Sequence, residues 1–126
     1  MEGVRLLVVD DEALITFAMR RYFRALGFEV DCASEQAEAE RLLAERCYDV
    51  VIADLRLSGL GSTEGLHVIA GARERCPRAR AILLTSYGSP AIESAARSCG
   101  AAATILKPIA LPQLAEVVSG LVRDGT

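Results

Sequence analysis

Short apolar runs alternate along the whole chain with longer amphipathic stretches, and this alternation constrains the fold more than any other feature. The apolar runs cover residues 6–9, 28–32, 50–53, 81–84 and 103–106. Strands that alternate with helices pair in parallel through right-handed crossovers. Consecutive apolar residues in the third and fourth runs indicate strands that are buried on both faces. The sequence therefore predicts a doubly wound α/β domain, a five-stranded parallel sheet with helices on both faces.

The amphipathic stretches have helical spacing and recognisable ends. They cover residues 15–26, 34–46, 64–75, 89–98 and 111–123. Apolar residues at three- and four-residue steps predict the buried stripe of the first helix: Ile15, Ala18, Met19, Tyr22 and Leu26. Gly27 is expected to end this helix, because glycine tolerates a left-handed backbone. Ser89 followed by Pro90 predicts a capped start for the fourth helix.

Length and composition fit one globular domain. The chain has 126 residues, of which 52% are hydrophobic and 25% charged. No apolar run approaches the ~18 residues of a membrane span, and the first residues lack the basic region of a secretory signal. The net charge of -3 excludes the strong basic field of many nucleic-acid-binding proteins. We expect a cytoplasmic chain that binds neither a membrane nor nucleic acid directly.

The four cysteines are scattered along the chain, at Cys32, Cys47, Cys76 and Cys99. They form no C-x-x-C pair, and His67 is the only histidine that could join them. This spacing argues against a zinc site. We expect small buried thiols in a reducing compartment, and a structural or surface role for His67.

Polar residues follow several of the predicted strands. Asp10 and Asp11 end the first strand, Asp54 the third, Thr85 the fourth and Lys107 the fifth. In an open parallel sheet, ligands bind outside the carboxyl ends of the strands, where the strand order reverses. The first and third strands flank that point if the order is 2-1-3-4-5. The acids would then converge, with Thr85 and Lys107 on neighbouring strands.

Three carboxylates in one crevice repel one another unless positive charge lies among them. Lys107 supplies one charge, and a divalent cation would neutralise the remainder. All the available ligands are oxygen atoms, which favours a hard cation: Mg²⁺, or Mn²⁺ as a substitute. The pair Asp10–Asp11 alone would indicate a helix cap and a solvated acid. Four strands that each bring a reactive residue to one edge favour a functional site.

These motifs together resemble the receiver domain of two-component response regulators. The matching stretches are VVDDE, VVIADLRLSG, ILLTSYG and ILKPI, at the first, third, fourth and fifth strands. The resemblance covers essentially the whole chain and implies the flavodoxin-like strand order 2-1-3-4-5. It also implies one CheY-like receiver domain over residues 1–126, without an output domain. Such a domain is a signalling module and not an enzyme, apart from its own phosphorylation and dephosphorylation.

The resemblance implies a role for each acid. Asp54 would be the phosphoacceptor, whose carboxylate attacks a phosphohistidine of a partner protein in line. Asp11 and Asp54 would bind Mg²⁺ directly, and Asp10 would act mainly through metal-bound water. The backbone carbonyl of Arg56 would be a further ligand.

The resemblance also implies which residues bind the phosphoryl group and which respond to it. Lys107 would pair with the phosphoryl oxygens, and the hydroxyl of Thr85 would swing in to hydrogen-bond them. Pro108 matches the Lys-Pro step of the family, which is often cis. Phosphorylation would bring the local charge to about -2. The resulting movement would alter the face built from the fourth helix, the fifth strand and the fifth helix.

One position near the end of the fifth strand departs from the family pattern. Thr104 replaces the usual aromatic residue three before Lys107, so activation is expected to use the loop after the fourth strand, or to be weak. Arg56 and Tyr87 lie where the family tunes the lifetime of the phosphoryl group. A bulky pair there would shield the site from water.

The loop after Asp54 is longer than usual in the family. Ser58 replaces a common proline, and Gly59, Gly61 and Gly65 are expected to give the loop conformational freedom.

Leu14 and Phe17 lie on the flank of the first helix, away from its predicted stripe. Exposed apolar residues beside a site can mark a docking surface. In receivers the first helix packs against the histidine-bearing bundle of the phosphodonor, a sensor histidine kinase or a histidine phosphotransfer protein. We therefore expect Leu14 and Phe17 to contact such a partner, with scattered surface hydrophobes as the alternative.

Several alternatives stay open at this point. The chain could be a receiver cut from a longer regulator or hybrid kinase, or a scaffold-type pseudo-receiver. A Mg²⁺-dependent phosphohydrolase with an aspartyl nucleophile would need a second acid where Arg56 stands. In a flavodoxin, acids after the first strand would repel the flavin phosphate. The fifth helix has no obvious extra apolar seam, so we expect a monomer or weak dimer.

Overall fold

The apolar runs form parallel strands and the amphipathic stretches form helices in the computed structural model of this chain, which describes residues 2–57 and 62–124. The strands are β1 (Arg5–Val9), β2 (Glu29–Ala33), β3 (Val50–Asp54), β4 (Arg80–Thr85) and β5 (Ala101–Leu106). The helices are α1 (Ala13–Ala25), α2 (Gln36–Glu45), α3 (Glu64–Arg75), α4 (Pro90–Cys99) and α5 (Leu111–Asp124). Each predicted element is present, and most boundaries differ by one or two residues.

The five strands form one parallel sheet with the order β2-β1-β3-β4-β5. Leu6 of β1 lies opposite Val30 on one side and Val50 on the other. The strand order reverses between β1 and β3, so the carboxyl ends of these two strands flank an open crevice. The predicted fold class and strand order are confirmed.

The helices cover both faces of the sheet. One core layer contains buried residues of α1 and α5, and the other contains buried residues of α2, α3 and α4. The predicted stripe of α1 was wrong at two positions: Ala18 is exposed and Leu26 is 43% exposed, whereas Phe23 is fully buried. Phe23 packs edge-on against Phe28, with ring centroids 5.3 Å apart. Leu26 lies beyond the last residue of α1, where the chain already turns toward β2.

The predicted helix ends are present. Gly27 follows α1 with a φ of 100°, a left-handed conformation that favours glycine. The Ser89 side chain accepts a hydrogen bond from the Ile92 N–H at 3.1 Å, and Pro90 begins α4. Among the described residues, no helix combines the length and the apolar character needed to cross a bilayer.

Gly65 has a role that differs from the predicted one. It lies inside α3, buried, and a Cβ at this position would be 2.1 Å from the carbonyl oxygen of Asp54. Glycine is therefore needed for the close approach of α3 to the end of β3, and not for loop freedom. The other residues of that prediction, Ser58, Gly59 and Gly61, lie outside the described residues.

The prediction of buried thiols was also wrong. Cys47 is exposed, and Cys32, Cys76 and Cys99 are partly exposed, because all four lie near the ends of elements and not in the middle of the sheet. All four are free. His67 is exposed on α3.

Candidate functional site

Three carboxylates converge at the carboxyl ends of β1 and β3. Asp10, Asp11 and Asp54 each place an oxygen so that all three atoms lie within 4.8 Å of one another. Asp10 is 2% exposed and accepts a hydrogen bond from the Glu12 N–H at 2.9 Å, whereas Asp11 is exposed. Adjacent parallel strands that end side by side bring these acids together, as the sequence predicted.

Lys107 provides the positive charge of this cluster. Its Nζ lies 2.9 Å from a carboxylate oxygen of Asp10 and 3.5 Å from one of Asp54. Burial disfavours the charged amine, but the hydrogen bond and charge of Asp10, with a smaller contribution from Asp54, outweigh it and raise the pKa of Lys107. The bond from Lys107 to Pro108 is cis. The lysine is thus held between the buried Asp10 and the partly buried Asp54.

The cluster keeps an excess of negative charge. Burial raises the pKa of Asp54, and the charges of Asp10 and Asp11 raise it further, although Lys107 opposes them. Lys107 balances one of the three carboxylates, and the donor atoms are hard oxygens with neither histidine nor cysteine among them. Such a set fits a hard divalent cation. The acidic cluster is therefore suited to hold a metal ion.

Thr85 lies at the same edge, but its hydroxyl is engaged with the loop that follows β4. The side chain is 1% exposed, and its Oγ1 accepts a hydrogen bond from the Tyr87 N–H at 2.9 Å. The same hydroxyl lies 3.3 Å from the Tyr87 carbonyl oxygen, to which it donates. Thr85 lines a cavity of about 260 Å³ together with Asp11, Asp54 and Lys107.

Arg56 and Tyr87 line the same cavity and contact each other. The guanidinium carbon of Arg56 lies 3.9 Å from the centre of the Tyr87 ring, within the range of a cation–π interaction. The Arg56 Nε is buried without a hydrogen-bond partner among the described residues. Sequence reasoning placed both residues beside the site but missed this stacking. The metal-ligand role of the Arg56 carbonyl stays a prediction.

An apolar groove lies beside the acidic cluster. It has a volume of about 330 Å³ and is lined by α1 residues such as Ile15 and Met19, and by Ile109 and Leu111 near the start of α5. Leu14, which also lines the groove, is 83% exposed. Phe17 is 55% exposed, with the Arg21 guanidinium carbon 5.7 Å from its ring centre. Leu14 and Phe17 thus form an exposed apolar flank of α1.

Comparison with known proteins identifies the family to which this chain belongs. The model of the response regulator receiver domain matches residues 6–119. The alginate biosynthesis transcriptional regulatory protein AlgB of Pseudomonas putida is 34% identical over 110 residues, which are 87% of this chain and 24% of that relative. This chain therefore spans about a quarter of that protein's length.

Two solved structures have the same architecture. A CheY-like receiver domain protein from Methanospirillum hungatei superposes with a TM-score of 0.90 at 23% identity, covering 97% of this chain and 95% of that one. A response regulator from Burkholderia pseudomallei superposes with a TM-score of 0.81 at 28% identity, covering 94% of this chain and 72% of that one. The Burkholderia structure contains a phosphorylated aspartic acid, a calcium ion and citrate.

The chain belongs to the response regulator receiver domain family. It is a signalling domain of the two-component type, with the CheY-like fold.

Proposed function

We propose that Asp54 accepts a phosphoryl group in a Mg²⁺-dependent reaction and that the domain signals through the resulting conformational change. The observation that carries the proposal is the convergence of Asp10, Asp11 and Asp54 around Lys107 at one sheet edge. The phosphorylated aspartic acid of the Burkholderia response regulator gives further support. The only catalysis proposed is the domain's own phosphorylation and dephosphorylation.

The transfer proceeds by in-line displacement. A carboxylate oxygen of Asp54 forms a bond to phosphorus while the bond from phosphorus to the histidine nitrogen of the donor breaks. The histidine nitrogen leaves with the electron pair, and an acyl phosphate is formed on Asp54. Phosphoryl transfer depends mainly on positioning and charge neutralisation. Lys107, already 3.5 Å from Asp54, would neutralise a phosphoryl oxygen.

The metal would be held by Asp11 and Asp54, with Asp10 acting through water and the Arg56 carbonyl as a further ligand. Mg²⁺ is the ion we propose, and Mn²⁺ would substitute, since both prefer oxygen ligands. When bound, the ion supplies charge stabilisation for the transferred group. Lys107 cannot stabilise the charge of the transferred group alone, because its amine already lies next to two carboxylates.

The switch would pass through Thr85 and the loop after β4. Its hydroxyl is bonded to the Tyr87 backbone, and turning toward a phosphoryl group on Asp54 would break those bonds. The Tyr87 N–H would then need a new acceptor, so the loop that leads into α4 would move. This route does not need the aromatic residue that Thr104 replaces.

The phosphodonor would be a sensor histidine kinase or a histidine phosphotransfer protein that docks on α1. Leu14 and Phe17 offer an exposed apolar surface next to the acidic cluster, and the groove at Ile15 and Ile109 extends it. Burial of such residues is the main favourable term in association. A helix that carries a histidine would cover this surface and bring its imidazole toward Asp54.

The proposal is tested by incubating the protein with acetyl phosphate and Mg²⁺ and measuring its intact mass. We expect a phosphate-sized increment that is lost in Asp54→Asn and on removal of the metal. Asp124→Asn, which removes an exposed acid of α5, serves as the matched control and is expected to label normally. Peptide mapping must place the phosphoryl group on Asp54. Labelling that persists in Asp54→Asn at the wild-type level would exclude the proposed acceptor.

A further inference from the structure

Arg56 brings a second positive charge to the cavity that Asp54 and Lys107 line. It follows Asp54 by two residues, so the segment that leaves β3 places it at the carboxyl edge of the sheet. Its side chain is partly buried and lines the cavity together with Tyr87. Glu12, which also lines the cavity, adds an exposed acid. The cavity is therefore bordered by acids and by two cations, of which only Lys107 contacts the acidic cluster.

The buried Nε of Arg56 has no hydrogen-bond acceptor among the described residues. No described acid forms an ion pair with its guanidinium. The Tyr87 ring, 3.9 Å from the guanidinium carbon, attracts the positive charge but does not serve as an oxygen acceptor for the five N–H hydrogens. A buried donor without an acceptor is costly, and few such groups occur in native structures. An anion bound in the cavity would supply the acceptor.

The charge of the phosphorylated crevice would be unbalanced without Arg56. Phosphorylation brings the charge at Asp54 to about -2, and Asp10 and Asp11 each add a negative charge. Lys107 and a divalent cation supply three positive charges between them, which leaves one negative charge over. A guanidinium is always protonated in proteins. Arg56 would therefore supply the positive charge that the crevice needs only after phosphorylation.

We propose that Arg56 is a second phosphoryl-binding residue, whose Nε–H and one terminal N–H donate hydrogen bonds to phosphoryl oxygens on Asp54. The planar guanidinium fork matches two oxygens of a phosphoryl group, and such charged hydrogen bonds are about twice as strong as neutral ones. Stacking on Tyr87 restricts the guanidinium beforehand, so less freedom is lost on binding. The inference rests on the proposed phosphorylation of Asp54, and it adds a ligand of the phosphoryl group to Lys107 and Thr85.

Arg56→Met tests the role of the charge, because methionine keeps an unbranched side chain but removes the cation and its donors. Labelling of Asp54 by acetyl phosphate, followed by intact mass, should be about tenfold slower in this variant, equivalent to about 1.4 kcal/mol of transition-state stabilisation. Arg56→Lys keeps the charge without the fork and should recover most of the rate. Arg78→Met is the matched control. It removes an exposed cation from the turn before β4, at the opposite edge of the sheet, and should label at the wild-type rate.

NMR of the wild-type protein tests the contact without any substitution. When Asp54 is phosphorylated with acetyl phosphate, the Nε–H signal of Arg56 should move downfield and show a coupling to phosphorus across the new hydrogen bond. An Nε–H signal that stays unchanged in the phosphorylated protein would overturn the inference.

The labelling rates give two further outcomes that would overturn it. One is wild-type labelling in Arg56→Met, and the other is an Arg56→Lys variant as slow as Arg56→Met, which would indicate a role of shape and not of charge. In all three cases the wild-type protein is labelled, so the phosphoacceptor role of Asp54 stands. Wild-type protein that takes up no phosphoryl group would instead refute that role, and the role of Arg56 with it.

Discussion

The guanidinium of Arg56 stacks on the ring of Tyr87, 3.9 Å from the ring centre, and both residues line the cavity that Asp54 also lines. We predict that this stack slows hydrolysis of the phosphorylated protein, because it occupies space from which water would attack. In the double variant Arg56→Ala, Tyr87→Ala, the half-life measured by intact mass should fall about tenfold, a barrier change of about 1.4 kcal/mol.

Tyr87→Phe is the control for this prediction, since phenylalanine keeps the ring that receives the cation. Its phosphoryl half-life should stay near that of the wild-type protein. Equal half-lives in the wild-type and double-alanine proteins would remove the shielding role.

Binding of Mg²⁺ should stabilise the folded protein, because the acidic cluster exists only after β1 and β3 have paired. At a Mg²⁺ concentration one hundred times the Kd, the free energy of unfolding should rise by about 2.7 kcal/mol. Chemical denaturation with and without the ion measures the difference. Asp11→Asn should reduce the rise in the free energy of unfolding that Mg²⁺ produces. In the presence of a chelator, Asp11→Asn should melt at a higher temperature than wild type, because one repulsive charge is gone. The same gain in Asp11→Asn as in wild type would rule out Asp11 as a ligand.

Gly65→Ala should destabilise the domain, because the new Cβ would collide with the Asp54 carbonyl oxygen. Overpacking of this kind costs about 1–3 kcal/mol. Gly71→Ala is the matched control on the same helix, where a Cβ meets nothing within 4 Å. It should stabilise the domain by about 0.5–1 kcal/mol through helix propensity. Urea denaturation compares the two, and equal effects would contradict the proposed contact.

Phosphorylation should free the Tyr87 amide from the Thr85 hydroxyl, which is 2.9 Å away in the present structure. Hydrogen exchange at this amide, followed by NMR, should therefore become faster once Asp54 is phosphorylated with acetyl phosphate. The Lys107 N–H, which donates to the Thr85 backbone carbonyl at 2.8 Å, is an internal reference and should exchange unchanged. In Thr85→Val the Tyr87 amide should exchange quickly in both states. Unaltered exchange at Tyr87 after phosphorylation would argue against the proposed switch.

Replacement of Leu14 and Phe17 by alanine should impair transfer from a protein donor but leave chemical phosphorylation intact. The two side chains are exposed, so the double variant should unfold at nearly the same urea concentration as wild type. Transfer from a phosphorylated histidine phosphotransfer protein should slow about tenfold, as expected when about 1.4 kcal/mol of docking energy is lost. Leu26→Ala, at the far end of α1, is the control and should transfer normally. Normal transfer in the double variant would leave the two residues without a docking role.

The fold could be predicted because the apolar runs of buried strands and the periodic apolar residues of helices are visible in the local sequence. Residues 50–54 are apolar up to Asp54, and that acid is the residue at which β3 ends. The placement of Lys107 followed from the same logic, since every parallel strand delivers its last residue to one edge. The least reliable local inference was the end of α1, where spacing alone could not tell the exposed Leu26 from the buried Phe23.

Contacts that depend on helix packing or on loop conformation could not be predicted. The approach of α3 to Asp54 at Gly65 depends on how the helix packs, and a glycine in a polar stretch resembles any loop glycine. The stacking of Arg56 on Tyr87 joins two loops. Each of these requires three-dimensional neighbours that are not close in the chain.

The ion pair between Lys107 and Asp10 joins residues 97 positions apart. During synthesis, a ribosome-bound chain that has made only β1 to β4 would carry the acids without their counter-charge. Non-local contacts of this kind form late, after most of the chain has been ordered. The domain would thus become able to accept a phosphoryl group only after β5 has formed. Truncated or half-folded copies would not signal in the cell.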